Sequence, residues 1–172
     1  AIDGMEKDNH RRYLADTTCR TQEIIEGGGE FTPTCSLLYK NGLKQKAPKE
    51  LFEQNVGDYP LVLYLAIIGK VYYFDLRMGV YRVDVPNSWS QRNLTHKSIG
   101  ADNKRWFYEK KIYDDFNRFS FYTYNHSFKQ CEYRFLFDYF WRKKEYMKAG
   151  RYWHKIDYKK RPWAIRWILY MH

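Results

Sequence analysis

A carboxylate, Asp58, stands between Gly57 and the segment Tyr59-Pro60-Leu61, and well upstream of it lies the triplet Gly27-Gly28-Gly29. A carboxylate within hydrogen-bond reach of a hydroxyl can take its proton as the hydroxyl attacks an electrophile. The same residue type ahead of a helix can instead satisfy a backbone donor, a contribution of about 0.5–2 kcal/mol, and a helix N-terminus favours the anion. Both readings fit Asp58. The glycines reach backbone conformations closed to other residues, so they mark a tight loop or a close approach of the main chain to something bound.

Other reactive side chains give weaker patterns. His10, His96, His126, His154 and His172 are scattered, with no pair four residues apart on one helix. Cys19, Cys35 and Cys131 are odd in number, widely spaced and without a nearby histidine, a distribution that points away from a zinc site and towards a reducing compartment. Asp114-Asp115 follows Lys110-Lys111 by one helical turn, which predicts a solvated charge face in place of a metal pair.

In order and spacing, four pieces resemble the C-terminal, acceptor-side half of family 2 glycosyltransferases. They are the glycine triplet, Pro33-Thr34-Cys35-Ser36, the run Val56-Gly57-Asp58-Tyr59-Pro60-Leu61, and Tyr81-Arg82-Val83 with Ser88-Trp89-Ser90. The resemblance covers roughly residues 20 to 90. It implies a GT-A type fold and an inverting transfer of sugar from a nucleotide-sugar donor to the hydroxyl of a saccharide or lipid-linked acceptor, in polysaccharide or glycolipid biosynthesis. By the same resemblance Asp58 is the general base, Gly28, Gly29 and Thr34 line the cleft, and Arg82 and Trp89 approach the donor phosphate or sugar. The planar fork of Arg82 suits bidentate contact with phosphate.

The chain departs from the family pattern in two places. Gly57 occupies the position before the base where relatives carry an acid, and Asp84 stands where many carry a histidine, so no metal ligand is expected there. The family holds a divalent cation, Mg or Mn, through an Asp-x-Asp pair on an N-terminal nucleotide-binding half, where the cation offsets charge on the leaving diphosphate. This chain contains no Asp-x-Asp pair. The metal and its ligands are therefore expected in a half outside it, and the chain by itself is expected to be inactive.

The elements that must position these residues follow from pattern. Asp58, Pro60, the apolar run Leu61 to Ile68 and Gly69 predict a helix with its start and stop in sequence. Val71 to Phe74 and Gly79 to Val85 read as strands, Thr34 to Tyr39 as a buried strand or a first helical turn, and residues 1–26 as a partly ordered lead-in. Later, Trp106, Ile112, Tyr113 and Phe116 recur at helical spacing behind Asp102, as do Cys131, Phe135 and Tyr139 behind Ser127. Gly150 is expected to close the second helix, and a third is expected around Pro162. The expected fold class is α/β: residues 1–95 form part of a GT-A sheet layer whose other strands lie elsewhere, and residues 96–172 form a basic, aromatic-rich helical extension.

Charge is uneven. Residues 134–172 hold 11 Lys or Arg against Asp138, Glu145 and Asp157, a local net of +8 within a total of +10. Trp141, Trp153, Trp163 and Trp167 are interleaved with those cations, a mixture suited to an anionic membrane surface. The same composition admits a nucleic-acid-binding module or a non-catalytic peripheral membrane protein as alternatives, although nucleic acid is not favoured because its signal is compositional alone. The opening residues carry no leader pattern, and the longest apolar run is far short of the roughly 20 residues of a spanning helix. A cytoplasmic location, peripheral at the inner face of the membrane, is the expectation.

Overall fold

The apolar run bracketed by Pro60 and Gly69 forms a helix over Tyr59–Ile68, with Pro60 in the first turn where a missing N–H costs nothing. It belongs to a computed structural model that describes residues 12–53, 58–76 and 99–158. The chain divides into two units, Ala1–Pro86 and Asn87–His172. The described residues are mostly helical, with one small antiparallel sheet.

In the first unit, strand β1 (Thr17–Cys19) leads into helix α1 (Thr21–Gly27), and helix α2 (Tyr59–Ile68) leads into strand β2 (Val71–Tyr73). The strands pair antiparallel, Thr17 opposite Tyr73 and Cys19 opposite Val71. Each strand is three residues long, too little to stand alone, and the helices that follow and precede them supply the packing. Ile24 of α1 and Val62 and Ala66 of α2 meet Cys19 and Phe31 in a core flanked by Tyr13, Leu37, Val71 and Tyr73.

Polar contacts fix the start of α1. The Glu23 carboxylate accepts from the Arg20 guanidinium at 2.9 Å, from the Tyr13 hydroxyl at 2.8 Å and from the Arg20 backbone N–H at 3.4 Å. These donors, the Arg20 guanidinium first, hold the Glu23 carboxyl below its ordinary value. The Thr21 hydroxyl donates to the Ala66 carbonyl at 2.9 Å, tying α1 to the far end of α2.

The described part of the expected lead-in contains regular structure. Residues 17–27 are ordered strand and helix, with Ile24 and Ile25 completely buried. Of the two forms expected after Pro33, a buried strand or a first helical turn, the structure has a helical one, a 3₁₀ turn over Thr34–Ser36 held by the Ser36 hydroxyl on the Pro33 carbonyl at 2.8 Å. Leu38 beyond it is 82% exposed, so the apolar character there does not mark a core element.

The second unit is built of α3 (Ile99–Phe119), α4 (Asn125–Arg142) and α5 (Tyr146–Trp153). Ile112, Tyr113 and Phe116 of α3 are buried as their helical spacing predicts, while Trp106 is only partly buried; on α4 Cys131 is buried as expected, but Phe135 and Tyr139 are only partly buried and Phe128, Leu136 and Phe137 are the other apolar residues of the core. Phe137, Ala149, Trp153 and Ile156 form the core between α4 and α5. The buried Gln130 amide fixes the chain after α5, donating to the Lys155 carbonyl at 3.2 Å and accepting from the Asp157 N–H at 2.8 Å.

The helix boundaries differ from those expected. Asp102 lies inside α3, and Ser127 is a buried residue in the first turn of α4, so neither caps its helix. Gly150 lies inside α5. The break comes earlier, at Lys144, whose φ of 59° turns the chain left-handed while its N–H reaches the Trp141 carbonyl and the Glu145 N–H reaches that of Phe140. Lys110 bridges Asp114 at 2.6 Å on a solvated face, as the sequence predicts, whereas Lys111 bridges a mostly buried Asp115 at 2.7 Å.

Candidate active site

The geometry around Asp58 begins with the end of α1. Gly28 follows the helix with φ 63° and ψ −159°, a backbone region essentially confined to glycine, and its N–H still reaches the Ile25 carbonyl. The chain therefore turns sharply out of α1 into the 3₁₀ turn Gly28–Glu30. Arg12 clamps the far side of that turn. Its guanidinium donates to the Phe31 carbonyl at 3.1 Å and the Glu30 carbonyl at 3.2 Å and lies 4.5 Å over the Phe31 ring.

The start of α2 meets this loop through Tyr59. The Tyr59 hydroxyl donates to the Ile25 carbonyl at 3.0 Å, and a Cβ built on Gly29 would stand 3.8 Å from the Tyr59 Cβ. Gly28 and Gly29, with Phe31 and Thr32 after them, thus share one shallow depression with Asp58, Tyr59 and Val62. It encloses no space that a water molecule could occupy, so the loop and the start of α2 lie close against each other there.

Asp58 occupies the N-cap position, and its carbonyl accepts the first helical bond, from Val62 N–H at 3.1 Å. Its side chain makes no capping hydrogen bond. The reason is conformational: φ −98° and ψ −14° are helical values, whereas a capping side chain needs an extended backbone to reach forward to the second or third N–H. The Asp58 carboxylate therefore does not serve as a helix cap.

Of the other residues that the resemblance singles out, Thr34 begins the 3₁₀ turn Thr34–Ser36. Arg82 and Trp89 lie outside the described residues, as do the strand expected over Gly79 to Val85, the helix around Pro162, and Trp163 and Trp167. Arg12, Phe31 and Tyr59 shape the loop without having been singled out from sequence. The one signal for Tyr59 was its place beside Asp58; Arg12 acts across 19 residues and left none.

The helical unit has a second concavity, about 270 Å³, lined by Arg105, Phe135, Asp138, Trp141 and Arg142. Loss of hydration raises the Asp138 carboxyl above its ordinary value, opposed by Arg142, Arg134 and Arg105. Phe135 of its wall stacks with Trp106 at 5.1 Å and with Tyr139 at 6.5 Å.

Among the described residues, no group of three or more His, Cys, Asp or Glu side chains could hold a metal ion. The residues in hand do not form the cation site that the resemblance associates with the complete enzyme, and no step below passes through a metal. No helix among the described residues is long and apolar enough to cross a membrane. No family model matches the chain, and neither a curated protein nor a solved structure matches it.

Proposed function

We propose that this chain is the acceptor-side part of an inverting glycosyltransferase of the GT-A type, drawing its nucleotide-sugar donor from a nucleotide-binding half. The observation that carries the reading is the shared depression in which Gly28 and Gly29 lie beside Asp58. The motif order of the sequence requires that meeting, and residues this far apart in the chain have no local reason to make it.

In this reading the acceptor hydroxyl arrives at the edge of this depression. Asp58 takes the hydroxyl proton as the oxygen forms a bond to the anomeric carbon, and the bond to the nucleoside diphosphate breaks on the opposite face of the sugar. The carboxylate is engaged in no helix cap that would have to be broken first. The turn at Gly28 directs backbone towards the substrate without a side chain in the way, and Tyr59 holds that turn against α2. Thr34, Arg82 and Trp89 complete the cleft on the acceptor and donor sides, and the acceptor is a saccharide or a lipid-linked sugar.

The test is transfer by a polypeptide that carries a nucleotide-binding half joined ahead of this chain, with the product's anomeric configuration read by proton NMR. An inverted linkage relative to the donor is the expected result. A retained configuration, or no transfer from any nucleotide sugar, would overturn the reading.

A further inference from the structure

The charge of this protein resides in one of its units. Residues 1–86 carry 11 Lys or Arg and 12 Asp or Glu, whereas residues 87–172 carry 19 against 8, a net of +11. Within the helical unit, the turn joining α4 to α5 concentrates that excess: Arg142, Lys143, Lys144, Lys148 and Arg151 fall within ten residues, against Glu145 alone.

Apolar side chains stand outward at the same place. Helix α5 buries Ala149 completely and Trp153 to 5%, so its inner face is satisfied by the core. Met147, in its first turn, points the other way and is 84% exposed, and Tyr146 beside it sets its ring edge-on to Trp141 at 5.1 Å and is still 55% exposed. Lys148 bridges Glu145 and lies 5.4 Å over the Phe140 ring, and the Lys143 ammonium lies 4.3 Å over Tyr139 and bonds to its hydroxyl. These contacts hold Lys143 and Lys148 at the turn that carries the two apolar residues. Lys144 is held there at a cost, because its left-handed φ of 59° is the position where a helix normally ends in glycine.

From this arrangement we propose that the α4–α5 turn docks on an anionic lipid bilayer, with Tyr146 and Met147 entering the headgroup layer and the surrounding cations meeting lipid phosphates and acidic headgroups. A ring of cations about a small apolar crest matches the electrostatics and depth profile of that interface. Met147, the most exposed apolar residue of the patch, has no planar face for a nucleobase, which favours the bilayer over nucleic acid. The surface belongs to the helical unit and stands or falls independently of sugar transfer.

Co-sedimentation of the full chain with phosphatidylcholine vesicles, with and without 30% phosphatidylglycerol, tests the proposal. Binding is expected only with the anionic lipid. Replacing Lys143 and Lys144 with glutamine lowers partitioning about 30-fold, from roughly a fivefold contribution per cation near the surface. Met147→Ser also lowers it, while leaving affinity for a labelled oligonucleotide unchanged. Lys144→Gly relieves the backbone at φ 59° and is expected to raise the thermal midpoint while weakening vesicle binding, a combination that a folding defect cannot produce.

Four results would overturn the proposal: equal binding to both vesicles, no binding to either, vesicle binding unaffected by Met147→Ser and the lysine pair, or oligonucleotide binding that Met147→Ser weakens in parallel.

Discussion

Alanine substitution through Gly27-Gly28-Gly29 separates three physical effects at adjacent positions. A Cβ on Gly28 meets nothing within 4 Å, so available space alone predicts a harmless change. Its φ of 63° with ψ −159° predicts the opposite, a strain of about 1–3 kcal/mol for any residue with a Cβ. A Cβ on Gly29 stands in ordinary contact, 3.8 Å from the Tyr59 Cβ, and Gly29 lies outside the left-handed region. Alanine there should stabilise by about 0.4–1 kcal/mol through the unfolded chain.

Gly27 is the third case. A Cβ would fall 2.6 Å from the Phe31 Cδ2 and 3.1 Å from its Cβ, and Phe31 is clamped by Arg12 and buried in the core. Overpacking of about 1–3 kcal/mol is offset by about 1 kcal/mol of helix propensity, since Gly27 ends α1. Hydrogen exchange at the Ile24 and Ile25 amides reads this unit alone. Gly29→Ala should exchange most slowly, and Gly28→Ala at least tenfold faster than Gly29→Ala, at about 1.4 kcal/mol per factor of ten. A Gly28→Ala variant as protected as Gly29→Ala would refute the backbone argument.

Three further substitutions test other parts of the account. Phe137→Ala removes a ring 1% exposed that contacts Trp141 at 5.7 Å and Trp153 at 5.2 Å; it should cost the helical unit about 3–5 kcal/mol, read by tryptophan fluorescence in a urea titration. Glu23→Gln should flatten the acid limb of the first unit's stability. The Glu23 carboxyl is lowered in the folded chain, so the unfolded chain binds more protons in that window. Stability is therefore fully present above the unfolded value and lost as pH falls through the folded one, which exchange protection at Ile24 measured against pH checks. Tyr59→Phe breaks the bond to the Ile25 carbonyl and should cost about 0.5–1.5 kcal/mol by the same exchange measurement, with the glycine loop loosened.

The parts of this fold that were legible in sequence are those set by local signals. Pro60 and Gly69 bracket α2, the β-branched and aromatic run at Val71 marks β2, and helical spacing places the buried face of α3, although on α4 it found Cys131 alone. The helix starts were misplaced because Asp102 and Ser127 are good capping types that here lie within helices, and the end of α4 because a lysine adopts the left-handed cap where glycine was sought. Pairing of β1 with β2 joins residues more than fifty apart, and no local pattern encodes it. The candidate site divides the same way: Asp58 and the glycines were readable as types in order, whereas the Arg12 clamp and the Tyr59 bond, which bring them together, depend on distant carbonyls.

The central claim is that the Asp58 carboxylate removes the acceptor proton, and its most direct measurement is the turnover of Asp58→Asn in a polypeptide carrying the nucleotide-binding half. The substitution keeps size and leaves the helix start intact, since the Asp58 side chain makes no capping hydrogen bond. Turnover should fall about 100-fold or more with the donor KM unchanged. Turnover within threefold of the unsubstituted protein would contradict the account.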